Sequence, residues 1–183
     1  MTVDSRRPIA VRQTTGTPFQ AGIGPHTETA TVALVIEELE AQGHVSAYQL
    51  GVPYPHSSRQ KCDVCLGSSP RWDWALEVKL LRLMGDNGRP NDNMLMHILS
   101  PYPAHRSALT DCAKLAASGF DARKGIVIYG FEHEDWPLAP AIGAFETLAR
   151  AKWKLGSRHE ARLERLVHPI HASGAVFGWE LRH

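Results

Sequence analysis

Residues 71–81, RWDWALEVKLL, are the stretch on which the reading of this chain turns. Trp72, Trp74, Leu76 and Val78 fall on one face, and Asp73, Ala75, Glu77 and Lys79 on the other. That alternation is the period of a β-strand. Packing the apolar face into a core fixes the register, and the register aims Glu77 and Lys79 together from the opposite face.

Upstream, residues 61–66 (KCDVCL) predict a second strand, and it carries Asp63. Residues 44–50 alternate more loosely and predict another strand, followed by a loop rich in Pro and Ser. The spacing of Val32, Val35, Ile36 and Leu39 predicts a helix over 27–42, with Thr27 as N-cap and Gly43 as the stop. Glu28 lies on the same stripe, whereas Glu37, Glu38 and Glu40 lie towards the polar side.

Downstream, residues 85–93 read as a polar loop and 94–99 as a short apolar element of either type. A helix is expected over 107–118, with apolar positions at Leu109, Cys112, Ala113, Leu115 and Ala116; Asp111 and Lys114 then read as a local pair three residues apart. The continuous apolar run 125–131 predicts a buried central strand. A helix over 140–155 turns Ile142, Phe145, Leu148, Ala149 and Trp153 inward, and two strands joined near 172–174 close the chain. This order predicts an α/β fold, a mixed central sheet flanked by helices. Residues 1–24 read as an arm of loops, and 25–183 as a single domain.

Bulk properties narrow the function classes. A chain of 183 residues suits one domain with a sizeable core. A formal net charge of +1 announces no global basic field, so any nucleic-acid surface must be local. Three cysteines argue against a disulfide framework. No apolar run spans a bilayer, and no apolar core follows Arg6 and Arg7 as in a signal peptide, which predicts a cytoplasmic protein without membrane partners.

The chemistry centres on Asp63, Glu77 and Lys79. Two carboxylates with a nearby backbone carbonyl, that of Val78, suit a hard cation that takes oxygen ligands and keeps several waters. A lysine beside them can orient or deprotonate an attacking water and stabilise charge on a phosphate. Glu28 offers a further carboxylate from the first helix. An acid-x-lysine triplet is expected about 0.6 times by chance in a chain of this composition. The triplet alone therefore says little; its weight comes from the strand it sits in and from the Asp and the acid-bearing helix upstream. An exposed strand edge with a Glu/Lys pair is the plain alternative.

The order of an acid-bearing helix, a strand with Asp and a strand with Glu-x-Lys resembles the PD-(D/E)xK, restriction-endonuclease-like nuclease superfamily. The resemblance covers residues 25–131, with Cys62 where the motif has proline. It implies Asp63 and Glu77 as acids that bind Mg²⁺ (or Mn²⁺ in its place), Lys79 as the catalytic lysine, and Glu28 as the helix acid. The implied activity is metal-dependent hydrolysis of DNA, as in restriction or phage defence, and a homodimer or larger complex would be needed to cut both strands. The alternative is a catalytically silent nucleic-acid-binding or assembly subunit of the same fold.

Arg106, Lys114, Arg123 and Lys124, around the helix at 107–118 and its exit, are candidate contacts to a phosphate backbone. Arg150, Lys152, Lys154, Arg158, Arg162 and Arg165 form the most basic stretch, diluted by Glu160 and Glu164. Cys62, Cys65, His168 and His171 have the residue types of a Cys₂His₂ zinc site, although a CxxC within a strand is expected to point its thiols to opposite faces.

Overall fold

The computed structural model describes residues 27–85, 88–91, 93–166 and 170–182. The arm at 1–24 and His168 lie outside these. The elements are α1 (Glu28–Ala41), β1 (Tyr48–Tyr54), β2 (Ser57–Ser68), β3 (Arg71–Arg82), α2 (Met96–Leu99), α3 (Ala108–Ala116), β4 (Arg123–Glu132), α4 (Ala139–Arg150), β5 (Lys154–Leu155), β6 (His159–Leu163) and β7 (Ser173–Arg182). They form an α/β fold on one mixed, open sheet in the order β1-β2-β3-β4-β7-β5, with β6 also paired to β7. β3 and β4 are parallel, with Glu77 opposite Ile126; the other pairs are antiparallel. None of the helices among the described residues is long and apolar enough to cross a membrane.

Helices cover both faces of the sheet. Val32 and Ile36 of α1 pack with Val64, Val78, Tyr129 and Phe131 in the smaller apolar cluster. The larger cluster gathers Leu109, Cys112 and Leu115 of α3 and Ile142 and Phe145 of α4 against Ala75, Leu81, Ile126 and Ile128. β4 thus alternates between two buried faces, which is why it reads as an unbroken apolar run. Thr27 caps α1, its hydroxyl accepting from the Ala30 N–H at 3.3 Å, and Gly43 follows the helix at φ 74°.

Several expectations shift. The first strand runs over 48–54, not 44–50, and the Pro-containing segment expected as loop is its second half and the hairpin into β2. Proline is tolerated in edge strands, and β1 is the sheet's edge. Trp72 leaves the face of Trp74: between Leu66 and Gly67 the register with β3 slips by one residue, and Trp72 packs against the larger cluster. Gly67 makes room for this bulge, at φ 100°, where a Cβ would stand 2.8 Å from Asp73 Oδ2. α4 stops at Arg150 rather than running to 155, because Lys154 and Leu155 pair with β7 and Arg150 donates to the Leu155 carbonyl at 2.8 Å. Leu148, expected inside, is 43% exposed. The last two strands are joined by residues 164–172, a longer connection than the turn expected at 172–174.

Candidate active site

The site lies where two strands part. β2 and β3 pair from Ser68 and Arg71 as far as Val64 and Leu76, and there the ladder ends. Side chains take over the polar groups along the opened edge of β3. Cys62 Sγ donates to the Leu76 carbonyl at 3.2 Å. Asp63 Oδ2 accepts from the Val78 N–H at 2.8 Å, and Glu28 Oε2 accepts from the Leu80 N–H at 2.7 Å. Strand N–H groups two residues apart point the same way along a sheet, so both acids are drawn to one edge. The N-cap at Thr27 makes Glu28 the first residue of α1, which aims its carboxylate there.

Lys79 links these acids to the α3 side. Its ammonium lies 3.3 Å from Glu28 Oε1 and 2.9 Å from Asp111 Oδ2, and donates to the Val78 carbonyl at 3.4 Å. Asp111 also meets Lys114, 2.6 Å from Oδ1 to Nζ. Lys114 in turn donates to Glu77 Oε1 at 3.2 Å, and the Tyr54 hydroxyl donates to the same oxygen. The structure therefore brings together Glu28, Asp63, Glu77 and Lys79, with the Val78 carbonyl among them.

Burial sets the charges. Glu77 is 2% exposed. Its pKa rises to about 8, first through burial and then through the Asp111 and Asp63 carboxylates, against the pull of Lys114. Glu28 is also raised, again by burial, with Lys79 opposing. Burial pulls Lys79 down, but Asp111 and Glu28 outweigh it and the net shift is upward. An ammonium held this way donates hydrogen bonds and stabilises negative charge; it is a poor acceptor of a proton from water. Lys114 shifts the same way, lowered by burial and raised more by Glu77 and Asp111.

Four acid side chains, Glu77 among them holding its proton below about pH 8, face two ammonium groups and offer hard oxygen donors. Among the described residues no group of three or more His, Cys, Asp or Glu side chains is placed to enclose a metal. Mg²⁺ needs fewer, since one or two carboxylates with waters hold it. Asp63, Glu77 and the Val78 carbonyl are oxygen donors of that kind, and the proton that Glu77 retains is one a bound cation would replace.

The other candidates separate. Of the four basic residues, Lys114 alone stands at the site. Lys124 stands away from these acids, 3% exposed, and burial lowers its pKa. Arg123 lies on the opposite face, stacked 4.0 Å from the Trp74 ring centroid and paired with Glu180 at 3.0 Å. Arg106 is exposed at the end of the 3₁₀ turn Pro103–His105. In the basic C-terminal stretch, Arg158 and Arg162 are paired with Glu146, Glu160 and Glu132.

The zinc arrangement does not assemble among the described residues. Cys62 and Cys65 are free thiols that share the larger core cluster, rather than pointing to opposite faces as strand alternation predicts. His171 instead packs on Phe131, which belongs to the cluster on the other face of the sheet.

Reading the sequence missed Tyr54 and the part played by Asp111. Nothing local marks Tyr54. Asp111 left a signal: it stands three residues after Ala108 and four before Leu115, on the stripe that α3 buries. No family model matches the chain, and neither the curated proteins nor the solved structures contain a match to it.

Proposed function

We propose that this chain is a metal-dependent phosphodiesterase of the PD-(D/E)xK, restriction-endonuclease-like kind, acting on DNA. The observation that carries the reading is the gathering of Asp63, Glu77, Lys79 and Glu28 at the edge of β3 where β2 departs. Asp63, Glu77 and the Val78 carbonyl are the groups that would hold Mg²⁺ or Mn²⁺. Such an ion, when bound, supplies Lewis acidity and a water of lowered pKa.

The chain's own residues do the rest. The Val78 N–H fixes Asp63 in one orientation. Tyr54 and Lys114 hold Glu77 from the other side. Lys79 remains an ammonium between Glu28 and Asp111, and in that state it steadies negative charge growing on a phosphoryl oxygen rather than removing a proton. One such site cuts one strand, so cleavage of a duplex calls for two copies or a partner nuclease.

One observation favours the second reading, a DNA-binding or assembly subunit without catalysis. Each of the four carboxylates already has protein donors or cations beside it. The experiment that separates the two uses supercoiled, linear and single-stranded DNA with Mg²⁺, Mn²⁺ or EDTA. Cleavage that requires the metal and disappears in Asp63→Asn supports the enzyme. DNA binding with no cleavage under any metal supports the subunit, and neither binding nor cleavage overturns the nuclease and the DNA-binding subunit alike.

A further inference from the structure

α3 buries a carboxylate on its core-facing stripe. Asp111 is fully buried, flanked along the helix by Ala108, Cys112 and Leu115, which are also fully buried. A charge in that position is expensive unless it is paired. Asp111 is paired twice, with Lys79 at 2.9 Å through one oxygen and Lys114 at 2.6 Å through the other.

The two ammonium groups are not equivalent. Lys79 is 12% exposed and has Glu28 on one side and Asp111 on the other. Lys114 is 28% exposed, reaches in from α3, and ends beside Glu77. A phosphate arriving from solvent meets Lys114 more readily than Lys79. A lysine with several rotatable bonds loses that advantage unless something holds its head group in place. Asp111 does this, and its charge also offsets the repulsion between the two ammonium groups it bridges.

We infer that Lys114 is the group that contacts a phosphate of the bound nucleic acid next to the reacting centre, and that Asp111 is the positioning residue that holds it there. The inference rests on the nuclease reading for its cleavage arm, and has a binding arm that does not.

The test uses the full chain and four variants: Lys114→Gln, Lys114→Arg, Asp111→Asn, and Asp111→Asn with Lys114→Gln. Binding of a labelled DNA duplex is measured in EDTA from about 50 to about 200 mM KCl, and single-turnover cleavage is measured in Mg²⁺. Lys114→Gln is expected to reduce the salt slope of log K by about one, with Lys114→Arg restoring it. Asp111→Asn is expected to slow cleavage at least tenfold, and the double variant to cleave no more slowly than Lys114→Gln alone, because Asp111 acts through Lys114.

A counter-ion that serves only the fold, or acts only through Lys79, gives losses that multiply in the double variant; that result overturns the role of Asp111. An unchanged salt slope in Lys114→Gln overturns the phosphate contact, and with it the whole inference, even if Asp111→Asn fails to fold. If the unaltered chain binds DNA but never cleaves it, the nuclease reading falls while the salt slope still decides Lys114. If it does not bind DNA at all, both fall.

Discussion

Raising the pH is expected to weaken the fold through one buried carboxyl group. Glu77 has its pKa raised from 4.5 to about 8 in the folded chain, chiefly by burial and then by Asp111 and Asp63. The folded state therefore binds this proton more tightly than the unfolded state does. The stabilisation is complete below the unfolded value of 4.5 and is lost as the pH climbs through about 8. One such proton changes stability by at most about 1.4 kcal/mol per pH unit, so the loss across the window is on the order of a few kcal/mol. Lys114 and Tyr54 beside Glu77 favour its ionised form, and the net shift already includes their opposition. The raised pKa of Glu28 adds a change of the same sign.

The perturbation that isolates the effect is Glu77→Gln, which keeps an oxygen for the Tyr54 hydroxyl and removes the charge. Urea unfolding followed by circular dichroism from about pH 5 to about pH 8.5 gives stability against pH for both proteins. The unaltered chain should fall relative to the Gln variant as the pH rises, with the difference levelling off above about pH 8. Mg²⁺ in the same assay should stabilise the unaltered chain more at the alkaline end, because the ion has to displace that proton, and should do little for Glu77→Gln. Parallel profiles for the two proteins would refute the reasoning about Glu77. A Mg²⁺ effect that is equal at both ends of the range would refute its place in the cation site.

Asp63→Asn keeps an acceptor for the Val78 N–H, so unfolding should shift by less than about 1 kcal/mol while metal-dependent cleavage falls at least about a hundredfold. Glu28→Gln should weaken cleavage across a Mg²⁺ titration with the fold intact, whereas Glu38→Gln, at a carboxylate that accepts from Gln42 at 2.6 Å, should cleave normally; equal behaviour of the two would remove Glu28 from the site. Gly67→Ala should destabilise by about 1–3 kcal/mol, read as a lower melting temperature, because it forces a side chain into a left-handed backbone at φ 100° against Asp73; an unchanged melting temperature would remove strain as the reason for glycine there.

Much of the architecture was legible because its signals are periodic. The stripe of α1, the alternation of β3 and the unbroken apolar run of β4 each reflect a local rule that the packing obeys. Expectation failed where a neighbour decided. Pro53 reads as a loop until β1 is known to be an edge strand, and α4 ends early because β7 offers Lys154 and Leu155 a partner. Tyr54 and Lys114 reach Glu77 across 23 and 37 residues of chain, so only the closed fold brings them there.

Asp63 shows how a site can be set by a rule that the sequence contains but does not announce. With Val64 opposite Leu76, continuing the antiparallel ladder one step would put Asp63 directly opposite Glu77. Facing residues in such a pair stand about 4.5–5.5 Å apart, and like charges there are destabilising. The ladder stops at that step, and the Asp63 carboxylate takes the Val78 N–H instead. Two acid side chains that a continued ladder would set face to face stand instead along the opened edge that Glu28 and Lys79 enter. Deriving this from sequence alone requires the register, and the register depends on the bulge at Gly67 and Asp73. Without that bulge the register set by Ser68 and Arg71 would continue, and the residue opposite Asp63 would be Leu76 rather than Glu77.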